Sequence, residues 1–133
     1  MVPVPQKILT RKHEITAQFF QLLDEHIEDI LQGRVRQAFR IKDFAERLHI
    51  HPTHFSNTIK LVTKRSPCDF AEERLLAEAQ RMLSETSMPI AEVGYKLTFQ
   101  DPTNFTKFFK RFSGKTPREY RNQFVESELF TVK

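Results

Sequence analysis

Apolar residues recur at three- and four-residue steps along most of the chain. From about His13 to Gln32, Ile15, Phe19, Leu22, Leu23, Ile27, Ile30 and Leu31 fall on one stripe, the signature of an amphipathic helix. Gly33 follows where a left-handed residue would end it. A second long stripe, Phe70, Leu75, Leu76, Ala79, Met82 and Leu83, predicts a helix over about 69–84. No segment alternates with the two-residue period of a strand. Five prolines punctuate the pattern without interrupting it: Pro52, Pro67, Pro89, Pro102 and Pro117 each stand where an apolar period begins. Proline is tolerated at the first helical residue, whose N–H has no intrahelical partner. Ser66, Asp101 and Thr116 precede three of them as capping side chains, and Thr116-Pro117-Arg118-Glu119 has the spacing of a capping box. The chain is therefore expected to be all-α, with about seven helices.

The pattern also repeats. Shifted by 50 residues, Thr53 falls on Thr103, Phe55 on Phe105, Ser56 on Thr106, Ile59 on Phe109, Lys60 on Lys110, Ser66-Pro67 on Thr116-Pro117 and Phe70 on Tyr120. Upstream the shift becomes 49 and pairs Ala45 with Gly94, Leu48 with Leu97 and Ile50 with Phe99. Each copy holds a short helix (about 41–48, then about 89–97) with a small residue in its middle. A tight turn carrying one apolar side chain follows, then a second helix (about 52–61, then about 102–112). A small residue suits a steep crossing of two axes, and the pattern is that of a helix-turn-helix.

Within the second helices, Phe55 and Ile59, and Phe105, Phe108, Phe109 and Phe112, are expected to face inward. The outward side then carries Thr53, Ser56 and Asn57 in one copy and Thr103, Thr106 and Lys107 in the other. Short hydroxyl and amide groups near the start of a helix suit base edges in a major groove, with Asn57 matched to adenine and Lys107 to guanine. Lys60 and Lys110, further along, are placed for phosphates, as are Lys64, Arg65, Arg111 and Lys115 around the helix ends. The 16-residue linking helix spans about 24 Å. With packing at its ends, it would set the two second helices near the ~34 Å repeat of duplex DNA.

Composition narrows the function classes. The chain has 133 residues, 21 Lys+Arg against 17 Asp+Glu, and a formal charge of +4. The charge is polarised: 14–33 holds five acidic residues and no Lys or Arg, whereas 103–121 holds six basic residues against Glu119 alone. Such asymmetry suits one surface offered to a polyanion. Three glycines leave no Gly-rich phosphate loop, and no apolar run reaches the roughly 18 residues of a membrane span. A single cysteine, Cys68, fits a reducing compartment. It is expected to be a small buried residue, although the opening turn of a helix can lower a thiol pKa. His49, His51 and His54 lack an obvious fourth ligand and read as polar turn residues rather than a metal site. Asp24-Glu25 and Glu28-Asp29 read as a solvated helix face, and no Ser/His/Asp or Cys/His set suggests catalysis. The phenylalanines, 13 in all, are spaced as core rather than as stacking platforms for single strands. Neither enzyme activity, metal nor cofactor is expected. The rival to DNA binding is a helical protein-interaction module that uses the first helix to hold a partner.

The stretch from about Phe39 to Arg121 resembles the DNA-binding domain of the AraC/XylS family of bacterial transcription regulators. The resemblance lies in Ile90-Ala91-Glu92-Val93-Gly94 through Phe99-Gln100-Asp101-Pro102, in Phe105-Thr106-Lys107-Phe108-Phe109-Lys110-Arg111, and in Gly114-Lys115-Thr116-Pro117-Arg118-Glu119-Tyr120-Arg121. Phe44-Ala45-Glu46-Arg47-Leu48 and Arg74-Leu75-Leu76 with Ala79 and Leu83 extend it into the first half. It implies two helix-turn-helix subdomains joined by a helix, binding of double-stranded DNA, usually activation of transcription, and RNA polymerase as a further partner. It also places the base-reading surface on Thr53, Ser56, Asn57, Thr103, Thr106 and Lys107. Thr98 and Lys64 stand where the family usually has glycine, each at a cost of about 1 kcal/mol if its backbone is left-handed. Arg40 replaces a capping Ser or Thr, and the loop over 33–38 is longer than usual, so the first subdomain is expected to be the weaker reader. The expected organisation is a tail or linker over 1–12, the first helix and first subdomain over 13–68, the linking helix over 69–84, the second subdomain over 85–123 and a tail over 124–133. A monomer in the cytoplasm, associated with the nucleoid, would suffice for such a reader. The chain reads either as a small stand-alone regulator or as the DNA-binding portion of a longer one.

Overall fold

The computed structural model describes the backbone of residues 6–131 and the side chains of 10–125. Among the described residues there are seven helices and no strand: α1 (Gln6–Leu31), α2 (Ile41–Arg47), α3 (Pro52–Thr63), α4 (Pro67–Glu85), α5 (Ile90–Lys96), α6 (Pro102–Ser113) and α7 (Pro117–Thr131). Two of the expected tails are shorter than anticipated. α1 begins at Gln6 rather than near His13, and α7 runs on to Thr131 past the expected end at 123. Neither Gly nor Pro lies between Gln6 and Lys12 or after Pro117, so nothing in the chain stops either helix. The reading of Pro3 and Pro5 as linker lies outside the described residues.

The helix starts follow the caps. Pro52, Pro67, Pro102 and Pro117 open α3, α4, α6 and α7, whereas Pro89 sits one residue before α5 as its N-cap. The Asp69 N–H donates to Ser66 Oγ at 3.2 Å and the Thr103 N–H to Asp101 Oδ1 at 2.7 Å. At α7 the box is complete: Glu119 N–H donates to Thr116 Oγ1 at 3.1 Å and Thr116 N–H to Glu119 Oε1 at 3.2 Å. Those bonds favour the ionised Glu119 and hold its pKa below the usual carboxylate value. Arg40 has no acceptor to offer α2. Instead Asp43 Oδ2 reaches back to accept from the Arg40 N–H at 2.8 Å.

The chain forms two compact units. The first takes α1 through Asp29 together with Ala38–Glu72; the second takes Ile30–Gln37 and everything described from Glu73 onward. α4 is thus divided between them at Glu72 rather than standing apart as a linker, and the loop after α1 belongs with the second unit. In the first unit Ile15, Phe19 and Leu23 of α1 are buried with Phe44 and Ala45 of α2 and Phe55 and Ile59 of α3. Phe19 is the hub, its ring 5.4 Å from Phe44 and 5.3 Å from Phe55 in edge-on contacts, the geometry that aromatic quadrupoles favour. In the second unit Ala79, Met82 and Leu83 of α4 are buried with Val93 of α5, with Leu97 just after it and with Phe105 and Phe109 of α6. Tyr120 of α7 packs edge-on to Phe109 at 5.3 Å. Arg121 Nε donates to the Leu83 carbonyl at 3.0 Å, tying α7 to the last turn of α4.

His26 pins the approach to α2. Its ring is buried and stacked on Phe39 at 3.8 Å, and its Nε2 accepts the Phe39 N–H at 2.9 Å. That bond requires a neutral ring. Burial pushes its pKa below the ordinary 6.5, outweighing Asp29, which pulls it up; Arg47 adds to the fall and Asp43 opposes it. The native chain therefore refuses a proton that the unfolded chain accepts.

The first unit is expected to hold constant stability above about pH 7.5 and to lose it as pH falls through 6.5. His26→Gln keeps an acceptor without a titrating ring, so comparing denaturant midpoints of parent and variant at pH 7.5 and 5.5 should show the gap between them narrowing in acid. In the second unit, a methyl added at Gly94 would lie 2.9 Å from Phe105 Cβ and 3.0 Å from its Cγ. Gly94→Ala should therefore cost about 1–3 kcal/mol in urea unfolding, even though helix propensity alone would add about 1 kcal/mol. An unchanged midpoint would mean that α6 can slide away freely.

Candidate nucleic-acid interface

Each helix-turn-helix is built from the same three joints. At the first, the Ile50 N–H donates to the Ala45 carbonyl at 3.1 Å and the His49 N–H to Glu46 at 3.1 Å. The second copy matches, with Phe99 donating to Gly94 at 2.9 Å and Thr98 to Tyr95 at 3.0 Å. This pair of bonds is the Schellman ending, which needs a left-handed residue followed by an apolar one. His49 (φ 58°) and Thr98 (φ 75°) supply the first requirement without being glycine, and Ile50 and Phe99 supply the second. Phe99 then packs on Phe105 and Phe108, at 5.4 and 5.0 Å.

The second joint is the helix start. Asp101 caps α6, and at α3 the equivalent residue is His51, whose Nδ1 accepts the Thr53 N–H at 3.1 Å. His51 is thus an N-cap as well as the polar turn residue expected of it. The 50-residue shift that pairs it with Asp101 was the available signal, and an imidazole nitrogen carries the lone pair that a cap requires. The third joint closes α3 and α6. Thr63 Oγ1 donates to Ile59 O at 2.7 Å and Ser113 Oγ to Phe109 O at 2.6 Å, and each hydroxyl accepts from the amide two residues on. Lys64 (φ 67°) and Gly114 (φ 83°) occupy the left-handed caps between.

Between these joints the outward faces are presented as expected. Thr53, Asn57 and Lys60 are exposed on α3, with Ser56 half-buried among them; Thr103, Lys107 and Lys110 are exposed on α6, with Thr106 half-buried. They lie opposite Phe55 and Ile59, and Phe105 and Phe109, all fully buried. Neither α3 nor α6 contains an acidic residue, so the hydroxyl, amide and cationic groups of both faces meet no carboxylate of their own helix. His54 and Asn104, paired by the repeat, are also exposed in the first turns and join the two faces.

The cations at the helix ends are exposed too, and several are oriented. The Arg65 guanidinium lies 4.3 Å from the centre of the Phe70 ring, Arg111 lies 5.1 Å from that of Phe112, and Lys115 Nζ donates to Gln123 Oε1 at 2.7 Å. Two expectations need correction. Phe112 is 38% exposed rather than inward, because it stands in the last turn of α6, where among the described residues Phe108 is the ring that packs on it, at 5.1 Å. Cys68 is exposed rather than buried. Its thiol pKa is pushed up, chiefly by partial burial and then by Glu72 and Asp69, so the helix start does not activate it. Among the described residues no cluster of three or more His, Cys, Asp or Glu could hold a metal, and no helix is long and apolar enough to cross a membrane.

A family model described as a helix-turn-helix domain matches residues 44–123, which takes in α3, α4, α5 and α6 and most of α2. The chain belongs to the AraC-type helix-turn-helix family. It is 32% identical over 118 residues to the HTH-type transcriptional regulator YobQ of Bacillus subtilis, covering 80% of this chain and 49% of that protein. It is 27% identical over 113 residues to the arabinose operon regulatory protein of Escherichia coli, covering 76% and 39%. The chain thus spans half or less of the length of these relatives. The DNA-binding domain of AdpA, solved with a target DNA, superposes with a TM-score of 0.65 at 22% identity, covering 79% of this chain and 94% of that domain.

In this AraC-type chain the left-handed lysine is a measurable strain. Lys64→Gly should raise stability by about 0.5–1 kcal/mol, and Gly114→Ala should lower it by about 1 kcal/mol. Thermal unfolding of the two variants beside the parent checks both signs, and a destabilised Lys64→Gly would refute the strain.

Proposed function

We propose that the chain is a sequence-specific regulator of transcription that binds double-stranded DNA, with α3 and α6 each entering a major groove. The observation that supports it best is the duplication of one polar, carboxylate-free helix face on the same buried support. In this reading Thr53, Ser56 and Asn57 on α3, and Thr103, Thr106 and Lys107 on α6, contact base edges. Lys60, Lys64, Arg65, Lys110, Arg111 and Lys115 contact phosphates. Asn57 has the donor and acceptor that pair with adenine, and Lys107 the donors that suit guanine N7 and O6. The two faces differ in sequence, so a single chain reads an asymmetric site. Activation through contact with RNA polymerase, in the cytoplasm at the nucleoid, completes the proposal, and no catalytic step belongs to it.

The test begins by selecting bound sequences from a random duplex pool, then measuring affinity by fluorescence anisotropy at several salt concentrations. The six phosphate contacts named above should contribute about −5 to the slope of log affinity on log salt. Lys107→Ala should cost about 1–3 kcal/mol on the selected site and relax the preference at one base pair. Lys110→Ala should weaken all sequences alike and lower the slope by about 1. If neither variant differs from the parent, α6 is not a reader.

A further inference from the structure

The loop after α1 contributes to a further basic feature, built from residues that belong to neither α3 nor α6. Ile30–Gln37 belongs to the second unit, where it borders a groove of about 360 Å³ against the end of α5. Arg36 from the loop and Lys96 from α5 line this groove, together with Gln32, the Tyr95 side chain and Thr98. None of the lining residues is a carboxylate. Arg36 and Lys96 are both exposed, and neither is paired with a carboxylate among the described residues. Tyr95 is 54% exposed, so a large aromatic side chain stands open beside two unneutralised cations.

This composition has a specific chemistry. Two cations raise the local potential; a phenol, an amide and a threonine hydroxyl add donors of fixed length around it. A phosphate group, with acceptor oxygens pointing in different directions, can accept from several such donors at once. The groove also adjoins the turn into α6, since Thr98, on its wall, is the left-handed residue of that turn. Any group held there is therefore a fixed part of the second helix-turn-helix. The long loop that brings Arg36 to this place lies outside both copies of the repeat.

We propose that this groove binds a phosphate group, and specifically a backbone phosphate of the duplex beside the segment contacted by α6. This rests on the DNA-binding reading above and adds to it a contact that neither α3 nor α6 supplies. Arg36 and Lys96 carry the charge, and Tyr95, Gln32 and Thr98 orient the phosphate. Such a contact fixes position on the duplex and carries no sequence preference of its own.

The test uses the full chain and the selected duplex. Arg36→Gln with Lys96→Gln should weaken binding about tenfold at moderate salt and reduce the salt slope by about 2, with base preferences unchanged. Lys96→Gln alone, a change on an exposed helix surface, should reduce the slope by about 1. Arg36→Lys with Lys96→Arg should restore the parent slope. An unchanged slope in both glutamine variants, while Lys107→Ala and Lys110→Ala still weaken binding, overturns the proposal and leaves the DNA reading standing. Parent behaviour in all of these variants removes both. A calorimetric titration with inorganic pyrophosphate separates the remaining source. Tight binding that the double variant abolishes, with an unchanged salt slope, would assign the groove to a free phosphorylated compound and overturn the duplex contact.

Discussion

The architecture depends on how closely the two helices of each motif approach. At the second crossing there is no space for even a methyl group between Gly94 and Phe105. The same glycine's carbonyl accepts the amide of Phe99, so one residue fixes both the crossing and the turn that follows it. Ala45 has both duties in the first copy: it is fully buried and its carbonyl accepts from Ile50. Because packed interiors leave little room to adjust, this contact sets the direction of α3 and of α6, and with it the direction of every polar group on their outer faces.

Fixing the turns has a cost that the chain has not minimised. Three residues that are not glycine, His49, Lys64 and Thr98, are held in left-handed conformations. They occupy equivalent joints of the two copies, and only Gly114 among the four has the residue best suited to it. The surrounding hydrogen bonds and the apolar Ile50 and Phe99 over-determine the backbone, which is how a local strain persists. The aromatic contacts provide the compensation. Phe19 anchors the first unit through rings of α2 and α3, and Phe109 the second through Phe105 of its own helix and Tyr120 of α7. His26 adds a polar version of the same support, holding the chain at Phe39 only while its ring is neutral.

Charge follows from this framework. Phe105 and Phe109 take the inward side of α6, and its lysines are left on the outward side without a carboxylate on either helix to neutralise them. Carboxylates lie on other helices: five on α1, where Asp24, Glu25 and Glu28 are exposed, and five on α4.

Most of the fold was legible because its determinants are local. A 3.6-residue apolar period, a proline after a capping side chain and a glycine after a stripe each act within one turn of helix, so the seven helices, their order and the buried sides of α3 and α6 followed from the residues alone. The repeat made the outward positions legible as well, since two copies of one support must expose equivalent residues. The rest depended on contacts between residues far apart in the chain. Periodicity assigned Phe112 to the core, yet whether a stripe is covered at its last turn depends on what packs there. Cys68 looked buried by size and type, but its exposure is set by the neighbours of α4. The capping by His51 required an imidazole turned back onto the Thr53 amide. The loop after α1 carries no periodic signal, so only tertiary packing could bring it to the second unit and place Arg36 beside Lys96.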